Sequence, residues 1–278
     1  MVDGDRHTRI WRAHTHTHTH TPTRVIHQTY LPMLRYIATN TAKSLVFGIP
    51  FFFLVERILI HLNVFEHDKK RRYFILHVVA NAIVTCLCAR DVYFVLTRPL
   101  MTNMMSPTNV YASYVAFSLH IYHILMFRPL DSIDWLHHGL SVFVAAPLTF
   151  GINTGPLHNF GMFFVTGLPG GIDYAMLILV KKGRVLLSTQ KRLSAWLHIY
   201  VRCPGMIIYA GLLWVSWIII RNTETLRMQY ADKIKNDLAY IDIIVTVCCV
   251  IYYWNGTYFM HRVVYNYGYY SNKRIRGD

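Results

Sequence analysis

Seven long apolar runs, separated by polar or basic segments, constrain the fold of this sequence more than any other feature. They cover residues 44–64, 74–96, 109–127, 135–152, 157–180, 195–220 and 238–260. An α-helix needs about 20 mostly apolar residues to cross a bilayer, and the bilayer interior offers no water to unpaired backbone groups. Each run therefore predicts a transmembrane helix. The predicted fold class is all-α: a polytopic membrane helical bundle of about seven transmembrane helices.

The composition and the distribution of charge support membrane insertion. Charged residues make up only 15% of the chain, against about 25% in soluble proteins. The formal net charge is +14, and the basic residues lie in the tails and between the apolar runs. We therefore predict an integral, multi-pass membrane protein whose partners are membrane lipids, with no nucleic acid. The basic loops after the first and fifth runs lie on the side of the C-terminal tail, which predicts a cytosolic C-terminus.

The chain divides into a membrane region between two tails. Residues 1–42 are predicted to form a disordered basic N-terminal tail, in which residues 14–21 are a His-Thr repeat. Alternating histidines can bind a metal weakly, but a simple-sequence expansion in a disordered tail is the interpretation we favour. Residues 43–262 are predicted to form one transmembrane domain, and residues 263–278 a basic C-terminal tail.

Several charged residues fall inside the apolar runs. Charges at membrane depth are costly, and they usually face the interior of a helical bundle or a cavity. We expect Glu56, Arg57 and Arg202 to lie near a membrane interface instead, with their charged ends extended toward water. The remaining charges predict a bundle with a polar interior.

The segment that opens the fourth run indicates chemistry. On a helix, Asp134 lies three residues before His137 and four before His138, and it shares a face with both. A carboxylate beside an imidazole fixes its tautomer and raises its basicity, as general-base catalysis requires. We therefore predict His137, His138 and Asp134 as catalytic residues, with Ser141 lining the substrate cavity. Two interfacial histidines at a helix start are the alternative interpretation.

A glycine-rich segment in the fifth run marks a second candidate position. Residues 167–173 contain three glycines and one proline, which predicts a break or kink in that helix. Broken membrane helices are tolerated where they line a cavity. Asp173, which ends the segment, is therefore a further catalytic candidate, whereas a simple kink for close helix packing is the alternative.

Histidines in other runs are candidates for the same cavity. His120 and His123 share a helix face in the third run. They could hold a metal together with the histidines of the fourth run, or line the cavity with them. Interior histidines that are tolerated because they find hydrogen-bond partners are the interpretation we favour. We name both residues as cavity candidates, add His158 as a weaker one, and predict no metal site.

The sequence H-H-x-x-S at residues 137–141, which opens a mid-chain membrane helix, resembles the TLC domain. That domain is the multi-span fold shared by ceramide synthases, translocon-associated membrane proteins and small lipid-handling proteins. Segments 134–151 and 163–183 are similar to its two central helices, and the resemblance covers about residues 43–262. The region between the tails is therefore predicted to be a TLC-like transmembrane domain.

Membership of the TLC family would imply a lipid-metabolism protein of the endoplasmic reticulum membrane. In ceramide synthases the paired histidines transfer an acyl group from acyl-CoA to a sphingoid amine. The resemblance thus implies an acyltransferase role for His137 and His138, acyl-CoA as co-substrate, and no bound cofactor. Asp173 would take the place of the later acidic residue of the family. The His-Asp pair that precedes this acid in the synthases is missing here, which favours a divergent branch.

Other functions stay open beside acyl transfer. A TLC protein could bind lipids or maintain lipid homeostasis without catalysis, using the same cavity. As a third possibility, the segment from His120 to His123 resembles part of the histidine box of fatty acid elongases, and polar helix residues could also line a transporter. Assembly into a homo-oligomer is likewise open.

Overall fold

The computed structural model describes residues 22–64, 68–99, 104–145, 150, 152, 154–234 and 238–276. Within these residues the chain is helical and contains no β-strand. Helices α1 to α4 are Pro22–His61, Lys69–Thr97, Tyr111–Met126 and Ser132–His138, and α4 continues as a π-helical turn, Gly139–Ala145. Helices α5 to α8 are Pro156–Lys181, Leu187–Asn222, Glu224–Ile234 and Leu238–Arg276.

Five of the described helices are long and apolar enough to cross a membrane. These candidate spans are Leu34–His61, Lys69–Thr97, Pro156–Lys181, Leu187–Asn222 and Tyr240–Asn272, which correspond to the first, second, fifth, sixth and seventh runs. Helix α3 has 16 residues and is therefore only about 24 Å long, short of the roughly 30 Å of a bilayer core. The all-helical class is confirmed, and the count of seven spans stays a prediction.

The helices extend into the segments that the sequence assigns to the tails. Helix α1 begins at Pro22, so residues 22–42 are helical in the structure. Helix α8 continues to Arg276, across most of the predicted C-terminal tail. The His-Thr repeat at residues 14–21 lies outside the described residues.

Helix α2 lies at the centre of the bundle, where it packs against α3 and α5. Helix α1 packs on α3, and α6 packs on α8. A β-carbon added at Gly48 of α1 would lie 2.0 Å from the Ser118 hydroxyl oxygen of α3, so only glycine permits this close approach. The Ser118 hydroxyl in turn donates a hydrogen bond of 2.6 Å to the carbonyl oxygen of Ser44.

Two π-helical turns stand directly before prolines. Proline has no N–H and its ring clashes with the carbonyl group four residues earlier, so an α-helix cannot continue through it unchanged. Residues Phe163–Gly167 widen before Pro169 of α5, and residues His198–Arg202 widen before Pro204 of α6. The helix does not end at residues 167–173 but continues through a π-helical turn, and the carbonyl group of Val165 lacks an N–H partner at Pro169.

Two of the three charged residues predicted near an interface are buried in the protein, and only Arg57 is exposed. The Glu56 carboxylate accepts a hydrogen bond of 3.1 Å from Arg72 Nε of α2 and another from the Tyr122 hydroxyl of α3. We call Glu56, Arg72 and Tyr122 the Glu56 group. Arg202 is also buried. The expectation of exposed ends was wrong for Glu56 and Arg202, because both side chains find partners on neighbouring helices.

Candidate functional site

Four predicted histidines from two helices meet inside the bundle. His120 and His123 come from α3, and His137 and His138 come from α4. The ring centroids are 5.1 Å apart for His120 and His137, and 4.5 Å apart for His123 and His138. The structure therefore brings together two histidine pairs from separate runs, and we call these four residues the histidine cluster.

His120 and His137 face each other through their Nε2 atoms, which are 3.1 Å apart. The Nδ1 atom of His120 lies 2.6 Å from the carbonyl oxygen of Ala116, which can only accept a hydrogen bond. His120 therefore carries a proton on Nδ1, and its Nε2 lone pair accepts the hydrogen bond that His137 donates. Two imidazolium ions this close would repel strongly in apolar surroundings, so the pair carries at most one positive charge. His120 thus offers a lone pair that can take up one proton.

Other nitrogen atoms of the histidine cluster have no hydrogen-bond partner within the described residues. These are both ring nitrogens of His138 and Nδ1 of His123. His138 is 1% exposed and His123 is 4% exposed. A buried polar atom without a partner costs about 1–3 kcal/mol. Burial of these nitrogens therefore lowers the stability of the folded state, and no hydrogen bond within the described residues offsets the loss.

Aromatic residues that the sequence analysis did not single out extend the cluster toward α2 and α5. The ring of Tyr73 lies 4.0 Å from that of His123 and 4.0 Å from that of His77, measured between centroids. The Tyr73 and Tyr174 hydroxyl oxygens are 3.1 Å apart, and His77 Nδ1–H donates a hydrogen bond of 3.0 Å to the Tyr73 carbonyl oxygen. The available sequence signal was the four-residue spacing of Tyr73 and His77, which puts both on one helix face.

A mostly apolar cavity of about 100 Å³ lies beside the histidine cluster. His120 and His137 line it, together with apolar side chains of α3, α5, α6, α8 and the π-helical turn after α4. Ligand pockets usually measure about 300–1,000 Å³. The helices around this cavity must therefore separate before it can admit a long lipid chain.

Ser113 and His158 form a second polar pair on the wall of the same cavity. The Ser113 hydroxyl is hydrogen-bonded to His158 Nε2, while His158 Nδ1 is buried with no partner among the described residues. Ser113 precedes His120 by two helical turns on α3, or about 10 Å along the axis. His158 thus lines this cavity, whereas a lone serine in an apolar run gave no sequence signal for Ser113.

The two predicted carboxylates lie apart from the histidine nitrogens. Asp134 is half-buried in α4, and Asp173 accepts a hydrogen bond of 2.9 Å from Gln190 Nε2. Within the described residues, neither carboxylate forms a hydrogen bond or an ion pair with a histidine. The backbone of Ser141 lies in the π-helical turn after α4, and its side chain lies outside what the structure describes. A backbone carbonyl, not a carboxylate, therefore sets the tautomer of His120.

Histidine clusters often bind transition metals through neutral imidazole nitrogens. In the described parts of the chain, no group of three or more histidine, cysteine or acidic residues is arranged to hold a metal ion. The direct hydrogen bond between His120 and His137 uses the lone pair of His120 that a metal would need. The geometry therefore favours proton transfer over metal coordination at this pair.

No family model, no curated protein and no solved structure matches the chain. The resemblance to the TLC domain, based on residues 137–141 and the segments around them, therefore stays a prediction.

Proposed function

We propose that this protein is an integral membrane acyltransferase of lipid metabolism, which transfers an acyl group from acyl-CoA to a lipid amine. The observation that carries the proposal is the hydrogen bond between His120 and His137 on the wall of an apolar cavity. A base with a fixed lone pair, set beside a water-poor cavity, meets the two requirements of aminolysis. The TLC resemblance adds support, because it assigns acyl transfer to His137 and His138.

In the proposed step, the lipid amine attacks the carbonyl carbon of the thioester. A C–N bond forms and the C–S bond breaks, which yields an amide and the CoA thiolate. His120 Nε2 takes the proton that the amine loses and passes it to the thiolate, so that free thiol leaves and His120 is neutral again. General-base catalysis of this kind contributes roughly 10²–10⁴-fold to a rate.

His137 has a positioning role in this scheme. Its Nε2–H donates to the His120 lone pair in the structure, and the incoming amine takes its place. The ring of His137 is also 6.0 Å from that of Phe259 on α8, which limits its freedom to turn. The ring of His138 lies 5.0 Å from that of His120 and 4.5 Å from that of His123. Nitrogens of His138 and His123 that have no hydrogen-bond partner in the described residues can accept or donate a proton in turn.

Location and orientation belong to the same proposal. The TLC resemblance supports the endoplasmic reticulum membrane, and the basic segments after the first and fifth runs support a cytosolic C-terminus.

A second candidate function is lipid binding without catalysis. A groove of about 350 Å³ lies between α1, α2 and α3. Its lining includes Phe47, Phe51 and Phe52 of α1, with Lys43 and Tyr111 also lining it. An apolar groove with a cation could hold one acyl chain and its headgroup, and no carboxylate of the described residues orients a cluster histidine for catalysis.

Lipid mass spectrometry separates these functions. We would compare cells that express the wild type, the His120→Ala/His137→Ala double variant, and the His61→Ala variant, at matched protein levels. His61 is an exposed histidine at the end of α1 and serves as the control. We expect the wild type and His61→Ala to raise one acylated lipid class, and the double variant to leave it at the background level.

Two other results would count against acyl transfer. If the wild type and the double variant change the lipids equally, the histidines are not catalytic, and lipid binding becomes the better account. If neither the wild type nor any variant changes an acylated lipid class, the acyl-transfer proposal is wrong.

A further inference from the structure

Arg202 of α6 is buried at the centre of the bundle, with only 6% of its surface exposed. Its Nε–H donates a hydrogen bond of 3.1 Å to the carbonyl oxygen of Val165, and its Nη2–H donates one of 2.7 Å to Asn255 Oδ1. The Val165 carbonyl is free to accept because Pro169, four residues later, has no N–H. The guanidinium is therefore held in place by two neutral acceptors from α5 and α8.

The positive charge of Arg202 has no ion-pair partner among the described residues. No described carboxylate oxygen lies within 4 Å of its nitrogen atoms, and Nη1 is buried without a hydrogen-bond partner. Asp173 attracts Arg202 through space, but its carboxylate is hydrogen-bonded to Gln190. Arg72, by contrast, is paired with Glu56. Buried charges in proteins are normally paired, because the loss of hydration on burial costs free energy that an unpaired charge does not regain from any partner.

The guanidinium of Arg202 lies next to the cavity. Both residues that hold it, Val165 and Asn255, line the cavity wall. The Phe259 ring lies 5.1 Å from its central carbon, and the same ring contacts that of His137. One side chain therefore separates Arg202 from the hydrogen-bonded histidine pair.

We propose that Arg202 binds an anionic oxygen of the lipid that enters this cavity, either a carboxylate or a phosphate. A guanidinium offers five N–H donors in a planar fork that matches both groups. The inference rests on the part of the proposed function in which a lipid enters this cavity, and it does not need acyl transfer to occur. The anion would pair the charge of Arg202 and give Nη1 an acceptor.

Binding of three probes to the purified full-length protein in nanodiscs tests the inference. The probes share one long monounsaturated hydrocarbon chain and differ in their head groups: oleate, oleoyl lysophosphatidate and oleyl alcohol. We expect wild type to bind at least one anionic probe roughly ten- to a hundredfold more tightly than the alcohol, as hydrogen bonds to charged groups allow. Tighter binding of oleate would indicate that Arg202 recognises a lipid carboxylate, and tighter binding of oleoyl lysophosphatidate would indicate a lipid phosphate.

Variants of Arg202 assign the preference to this residue. We expect Arg202→Gln to bind all three probes alike, and Arg202→Lys to keep part of the preference because it keeps the charge. Arg221→Gln, which changes an exposed arginine of the same helix, should leave the preference intact.

Two results would overturn the inference. The first is equally tight binding of oleyl alcohol and of both anionic probes by the wild type. This result does not depend on the folding of any variant. The other is an anionic preference that stays unchanged in Arg202→Gln or, if that variant does not fold, in Arg202→Lys. No acyl-CoA is present in the binding assay, so its outcome does not depend on acyl transfer. An anionic preference in a protein that forms no amide when acyl-CoA and a lipid amine are supplied in a separate assay would reject the acyl-transfer proposal and leave this one standing.

Discussion

The Glu56 group and the histidine cluster are both buried and polar, but they differ in how completely their atoms are partnered. In the Glu56 group, both carboxylate oxygens accept a hydrogen bond, one from Arg72 and one from Tyr122. In the histidine cluster, His138 has no hydrogen-bond partner within the described residues for either ring nitrogen. A partnered group stabilises the helices that it joins, whereas an unpartnered one lowers stability and keeps its capacity for a ligand or a proton.

The largest expected effect on stability is that of Glu56→Gln. The change leaves the Arg72 cation buried opposite a neutral amide, and we expect the free energy of unfolding to fall by about 3 kcal/mol. Thermal or denaturant unfolding in detergent would measure it. Glu224→Gln, at an acid that is 84% exposed, is the matched control and should show no measurable change. Equal behaviour of the two variants would mean that the Glu56 group does not hold the bundle together.

For the histidine cluster, the corresponding change is His120→Ala. Removal of the base should lower acyl transfer by at least about a hundredfold, with a smaller effect on unfolding than that of Glu56→Gln. The rate of amide formation per folded molecule is the measurement, and His61→Ala should keep the wild-type rate. A His120→Ala protein that unfolds as readily as Glu56→Gln would remove the distinction between the two regions.

Tyr122→Phe sharpens the comparison within the Glu56 group. It removes one donor to the carboxylate and leaves the ion pair with Arg72, so we expect a loss of about 1–2 kcal/mol in the free energy of unfolding. Tyr93→Phe, at a tyrosine that is 64% exposed, should be neutral. A Tyr122→Phe protein as stable as the wild type would show that its hydroxyl is not needed to complete the group.

The smallest effect is expected for His138→Leu. Because neither ring nitrogen has a partner in the described part of the chain, leucine removes buried polar atoms at no loss of hydrogen bonds. We expect stability to stay equal or to rise by up to about 1 kcal/mol. His77→Leu is the contrasting variant, because it loses the 3.0 Å hydrogen bond to the Tyr73 carbonyl and should destabilise. Equal destabilisation by His138→Leu and His77→Leu would show that hydrogen-bond partners do not distinguish these two histidines.

The helical class and the shared helix face of His120 and His123 could be predicted from the sequence, because both depend on local spacing. His120 and His123 share one helix face, and His137 and His138 open the next helix after a short connection, so the two pairs can meet. Apolar runs likewise predict helices without knowledge of their neighbours.

Other parts of the site depend on contacts between distant segments, which periodicity does not reveal. Arg202 reaches a carbonyl on α5 and an amide on α8, so its burial could not be predicted from its own run. The same holds for the pairing of Ser113 with His158. The expected contact of Asp134 with the histidines followed from helix spacing alone, yet the structure leaves its carboxylate without a hydrogen bond to them.

Acyl transfer by the purified protein is the most direct test of the central claim, that the hydrogen-bonded histidine pair performs chemistry in the cavity. The wild type and His137→Ala would be reconstituted in nanodiscs with acyl-CoA and a long-chain amine, and amide and free thiol would be measured together. We expect the wild type to form both in equal amounts, and His137→Ala to form them far more slowly per folded molecule. A wild type no faster than empty nanodiscs, or two proteins with equal rates, would contradict the claim.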